Sequence, residues 1–187
     1  MTKKAIVLLA DGYEDVEAVT PIDYLRRAGI EVTSASITEN LIVTSRWGGI
    51  KITADTTLAQ ILKQDISIWD AVILPGGIPG ATALAASEET ALLLKKMASY
   101  EKLICAICAS PVLVLAPLGL LKEKKYTCYM GYEEKTTDGH WLEERVVTDG
   151  NIITSRAAGT TGEWSIAIIN ALLGSDEGKK IMQTVLL

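Results

Sequence analysis

The chain has 187 residues, 49% of them hydrophobic and 22% charged, a globular composition long enough to bury one sizeable core. A net charge of −5 and a pI near 5.0 argue against non-specific nucleic-acid binding, because phosphate neutralisation needs clustered Lys and Arg. No apolar run approaches the roughly 18 to 20 residues of a membrane helix.

The start, MTKKAIVLLADGYED, is basic and then apolar like a leader. It turns acidic within a few positions and lacks a small-residue cleavage site, so a cytoplasmic protein is expected. Strand-length apolar runs then alternate with amphipathic segments. KAIVLLA (4–10), EVTSASI (31–37), DAVILPGG (70–77) and KLICAI (102–107) are continuous rather than alternating, the pattern of strands buried on both faces. EDVEAVTPIDYLRRAG places Val16, Val19, Ile22 and Leu25 at helical spacing and ends at Gly29, a C-cap signal. SEETALLLKKMASY opens with a Ser87 N-cap and an acidic first turn, and TTGEWSIAIINALLG with a Thr160/Glu163 capping box. Two hairpin signals, Gly48-Gly49 and Asp149-Gly150, suggest excursions at the sheet edge. The βαβα order predicts a mostly parallel sheet with helices on both faces.

The stretch KLICAICASPVLVL spaces two cysteines three apart. Three cysteines in all, an odd number without a secretory context, indicate free thiols. Residues three apart on a strand point to opposite faces, so Cys105 and Cys108 converge on one metal or disulfide only if the strand ends between them. A zinc site would need two more ligands, and Cys128 with His140 completes it poorly. The strand ends near Ile107, and Pro111 suits the first turn of a helix. Cys108 then sits on the turn between them, facing free N–H groups that would stabilise a thiolate and lower its pKa, as in a nucleophile elbow. A small buried hydrophobe is the other reading of Cys108. Likewise, Gly76-Gly77 after ILP is either a plain turn or a place where backbone N–H groups approach a ligand, one oxyanion donor with Ala109 N–H as the other.

AIVLLADGYEDVEAVTPIDYLRRAGIEVT, DAVILPGG, LICAICASP and IITSRAAGT, in this order and spacing, resemble the ThiJ/PfpI superfamily, most closely the branch that contains the parkinsonism-associated protein deglycase. The resemblance covers nearly the whole chain. It implies a single domain over residues 1–187, a flavodoxin-like three-layer α/β/α sandwich with a mostly parallel sheet (class I glutamine amidotransferase-like), and a homodimer. Carried over by position, the nucleophile is Cys108 and its partner carboxylate Glu17. The oxyanion donors are Gly77 and Ala109, and Arg27, Arg46 and Arg156 match arginines near the site or the dimer interface that would bind anions. Many relatives carry a histidine where this chain has Tyr129, and His140 lies in a polar segment suited to the surface. A Cys-His-Asp triad is therefore not expected. Cys105 and Cys128 read as core-facing thiols.

The implied function is a cysteine enzyme acting on small reactive aldehydes or glycated groups, without cofactor or metal. Cys108 would add to methylglyoxal or glyoxal and Glu17 would shuttle a proton, giving lactate or glycolate; removal of early glycation adducts would use the same addition. The alternatives are a redox sensor or chaperone-like dimer that acts through oxidised Cys108, and a hydrolase of the same superfamily. The chain has no G-x-x-x-x-G-K-[ST] motif, which counts against a P-loop kinase.

Overall fold

In the computed structural model, which describes residues 2–47 and 49–187, the apolar run KAIVLL forms the central strand β1 (Lys4–Leu9). Its side chains alternate between two cores: Ile6 and Leu8 face one, Ala5, Val7 and Leu9 the other. This is why the run is apolar throughout. The chain continues through α1 (Asp15–Arg27), β2 (Glu31–Ser36), β3 (Ile42–Thr44), β4 (Lys51–Thr53), β5 (Thr56–Thr57) and the short α2 (Leu58–Ile61). It then forms β6 (Ala71–Leu74), α3 (Ile78–Ala86), α4 (Glu88–Ser99) and β7 (Leu103–Ile107). A π-helical stretch at Pro111–Leu115 follows β7. Last come β8 (Lys125–Tyr126), β9 (His140–Trp141), β10 (Val146–Asp149), β11 (Ile152–Ser155), α5 (Thr161–Leu173) and α6 (Ser175–Val185).

The main sheet has seven strands in the order β10-β11-β7-β6-β1-β2-β5. All its pairs are parallel except β10–β11. Residues of α2, α3 and α4 pack on one face, and residues of α1, α5 and α6 on the other. The fold is thus a flavodoxin-like α/β sandwich. The chain runs outward from β1 to β2 and β5 and returns to β6 on the other side of β1, and the carboxyl ends of strands at such a reversal are where doubly wound folds bind ligands.

Several local expectations hold. Ser87 caps α4, its side chain accepting from Thr90 N–H. Gly29, at φ 78°, follows α1 and donates to Arg26 O. Asp149-Gly150 turns β10 into β11. α1 forms where its spacing predicts, burying Glu17, Ala18, Pro21 and Leu25 and leaving Val16 and Val19 each 46% exposed. Others are corrected. β1 stops at Leu9 and β6 at Leu74, leaving Ala10 and Pro75-Gly76-Gly77 in loops. β3 and β4 pair in a sheet of their own rather than on the main edge, and Gly48 of that hairpin signal lies outside the described residues. The Thr160/Glu163 capping box does not form. Thr160 Oγ1 is engaged by Ser155 Oγ and by the backbone of Ala157, while Glu163 pairs with Arg145 at 2.7 Å. Among the described residues, no helix is long and apolar enough to cross a membrane.

Candidate functional site

The site is built where three loops meet above β1, β6 and β7. Cys108 follows the last residue of β7 and adopts φ 63°, a left-handed conformation that is uncommon for a residue with a side chain. The strain is held from both sides: Cys108 N–H donates to Ser155 O at 3.0 Å, and Tyr129 N–H donates to Cys108 O at 2.8 Å. This is the strand-to-helix elbow expected from the sequence, although the segment after it is a wide π-helical turn.

Glu17 arrives from the first turn of α1 and is 1% exposed. Its position is set by Glu14, whose carboxylate caps the helix by accepting Glu17 N–H at 2.8 Å and whose own N–H donates to Gly76 O at 3.0 Å. Gly76 N–H in turn donates to Glu17 Oε2 at 2.8 Å. Burial first, and the nearby charge of Glu14 second, push the Glu17 carboxyl up to about 7, against the pull of the Gly76 and Ala158 N–H groups and of Cys108.

The expectation of a lowered Cys108 pKa is reversed. Burial and the adjacent Glu17 push the thiol up to about 12, although the nearby N–H groups of Gly77 and Ala109 favour its charged form. A buried acid and thiol in contact resist carrying two negative charges. One proton therefore stays with the pair, and the carboxyl is the group that titrates near neutrality. A Cβ added to Gly77, at φ 86°, would run into Gly12 O and Glu14 N, so no side chain fits there.

These groups open on a cleft of about 260 Å³ lined by Glu14, Glu17, Arg46, Gly77, Cys108 and Ala109, with Trp47, Ile78, Tyr129, Ala157 and Ala158 around them. Of the three arginines named from the sequence, only Arg46 reaches it, stacked over Trp47 at 4.4 Å. Arg27 pairs with Asp23 on the surface of α1, and Arg156 with Glu143. Tyr129 lies in the wall and His140 is exposed on β9, so no histidine lines this cleft. Cys105 is fully buried in β7, and burial raises its thiol well above the ordinary value. Cys128 is buried with Sγ 3.9 Å from Glu133 Oε2, and burial and that carboxylate push it up to about 12. The described residues contain no group of His, Cys, Asp and Glu arranged to hold a metal ion. The sequence reading missed Glu14, whose signal was its place three residues before Glu17, and Trp47, which only the β3–β4 hairpin carries to the cleft.

The profile of the DJ-1/PfpI family matches residues 3–171. The chain belongs to the DJ-1/PfpI family. Within it, this DJ-1/PfpI chain lies near the DJ-1 branch. It is similar to protein DJ-1 homolog B of Arabidopsis thaliana, 42% identical over 186 residues that cover 99% of this chain and 41% of that protein. It is also similar to the glutathione-independent glyoxalase DJR-1.2 of Caenorhabditis elegans, 30% identical over 188 residues covering 99% of this chain and 97% of that one. Oxidized DJ-1 of Toxoplasma gondii has the same fold, with a TM-score of 0.94 at 34% identity over 99% of this chain and 98% of that one. The chain spans less than half the length of the Arabidopsis relatives.

Proposed function

We propose that the chain is a cysteine-dependent enzyme of reactive carbonyls, converting methylglyoxal to lactate by thiol addition and carboxyl proton transfer. The observation that carries this reading is the contact between Cys108 and a buried Glu17 whose carboxyl titrates at about 7. A neighbouring base activates a weak nucleophile, and a base is most useful when its pKa lies near the working pH. Glu17 takes the thiol proton as Sγ bonds to the aldehyde carbon and the carbonyl electron pair moves to oxygen. It returns that proton to the oxygen, giving the hemithioacetal. It then removes the hydrogen on the former aldehyde carbon, a proton passes between the two substrate oxygens, and Glu17 delivers its proton to the adjacent carbon. The result is a lactoyl thioester, which water hydrolyses to lactate and the free thiol. One carbon is oxidised as its neighbour is reduced, so the sequence balances with water alone. The same addition would serve glyoxal and early glycation adducts. Arg46 is the cleft cation proposed to hold an anionic group, and the name of the worm relative supports the substrate class.

The test is lactate formation from methylglyoxal by wild type, Cys108→Ser and Glu17→Gln, with scavenging by bulk thiols subtracted. Activity that rises with pH through about 7 and is lost in both variants supports the mechanism. No turnover by wild type overturns it for this substrate.

A second reading, redox sensing, is favoured by the N–H groups of Gly77 and Ala109 near the sulfur, which favour a negative charge there. Two equivalents of peroxide would each transfer one oxygen to Cys108 and leave as water, and the resulting sulfinate oxygens would accept from those donors. Mass spectrometry after graded peroxide, reading a gain of two oxygens at Cys108 alone, tests it. We also propose a homodimer through the exposed face of α1, with the cytoplasm as its setting, where the free thiols of Cys105, Cys108 and Cys128 would persist.

A further inference from the structure

β6 and β7 pair as far as Leu74 opposite Ala106. Beyond that rung each strand releases a loop, residues 75–77 from β6 and 108–110 from β7, and the two together carry the N–H groups of Gly76, Gly77 and Ala109 that act on Glu17 and Cys108. Ser110 joins them. Its hydroxyl is fully buried and donates to Pro75 O at 2.6 Å, the one partner of that carbonyl among the described residues.

Pro75 C=O and Gly76 N–H belong to the same peptide unit. Because that unit is planar, fixing its oxygen fixes the direction of its N–H, and that N–H makes the 2.8 Å bond to Glu17 Oε2. The hydroxyl, the peptide and the carboxyl thus form a continuous chain, and each hydrogen bond in such a chain polarises the next. We propose that Ser110 is a positioning residue, whose hydroxyl orients and polarises the Pro75–Gly76 peptide so that its N–H stays aimed at Glu17. The inference rests on the reading that Glu17 and Cys108 are the reacting pair. Glu14, Cys108, Arg46 and Tyr129 are the titratable and charged side chains that share the cleft with Glu17, and none of them lies on the Ser110–Pro75 path. The Gly76 bond favours the charged carboxylate, so weakening it moves the Glu17 titration upward.

The experiment compares Ser110→Thr with Ser110→Val, which match in shape and differ in the hydroxyl, alongside wild type. Two quantities are read against pH: the Glu17 carboxyl resonance in carbon-13-labelled protein, assigned with Glu17→Gln, and the rate of Cys108 alkylation by iodoacetamide. Ser110→Thr is expected to titrate with wild type. Ser110→Val is expected to titrate about half a unit higher, a shift of about threefold in the equilibrium since one pKa unit corresponds to about tenfold, with the pH profile of Cys108 alkylation displaced the same way. Coincident titrations for Thr and Val overturn the proposal. Neither reading requires turnover, so a wild type that makes no lactate would remove the carbonyl function without touching this result.

Discussion

Gly76 donates its N–H to Glu17 Oε2 at 2.8 Å, and it can do so only because it has no side chain. A Cβ at residue 76 would stand 2.5 Å from that oxygen and 2.6 Å from Cys108 Cβ. Gly76→Ala must therefore push the carboxyl and the thiol apart. Overpacking of this kind costs about 1–3 kcal/mol. We expect chemical denaturation to show a loss in that range, with lactate formation falling more than tenfold. A variant with wild-type turnover would show that the Glu17–Cys108 contact is dispensable.

Glu17 also makes stability depend on pH. The folded chain keeps the carboxyl proton up to about 7, against 4.5 for an unperturbed glutamate, so between those values the folded state binds more protons than the unfolded one. Stability therefore falls as pH rises through that window and levels off above it, by on the order of 3 kcal/mol in all. Denaturation of Glu17→Gln, which has no proton to lose, should lack this decline and exceed wild type above neutrality. Parallel pH profiles for the two proteins would contradict it.

The three thiols should separate cleanly in native alkylation. Cys105 is fully buried in β7, and Cys128 is buried against Glu133, whereas Cys108 alone opens on a cleft. Brief iodoacetamide treatment followed by peptide mass spectrometry should label Cys108, with Cys105 and Cys128 reacting only in denaturant. Native labelling of Cys128 at a comparable rate would show that its protection is not permanent.

Val16 and Val19 on α1, together with Ile42 and Ile50 of the β3–β4 hairpin, are exposed apolar side chains, of the kind that a partner surface covers. Sedimentation velocity should find wild type dimeric and Val16→Asp/Val19→Asp shifted toward monomer. A dimer unaffected by the double substitution would place the interface elsewhere.

The strands were legible because a strand buried on both faces must be apolar at every position, and KAIVLL, AVIL and LICAI are. The elbow was legible because Cys108 follows such a strand and precedes Ser110-Pro111, and Glu17 came with the family motifs. α1 was legible as a helix, but its buried side was not, for a physical reason. Helical periodicity locates an apolar stripe but does not say what covers it, and Val16 and Val19 turn outward while the fold buries the ionisable Glu17 beside them. Thr160 and Glu163 have the spacing of a capping box, yet Ser155 and Arg145, close only in space, take both side chains.

By itself, then, the sequence determined the sheet, its layers and the position of the elbow, since these follow from local patterns of apolarity and turn residues. The state of the thiol was decided by the tertiary structure alone. A strand-to-helix turn predicts an acidic cysteine, but burial and the approach of Glu17 from a distant helix outweigh the Gly77 and Ala109 N–H groups and hold Cys108 protonated, with its proton within reach of a carboxyl that titrates at about 7.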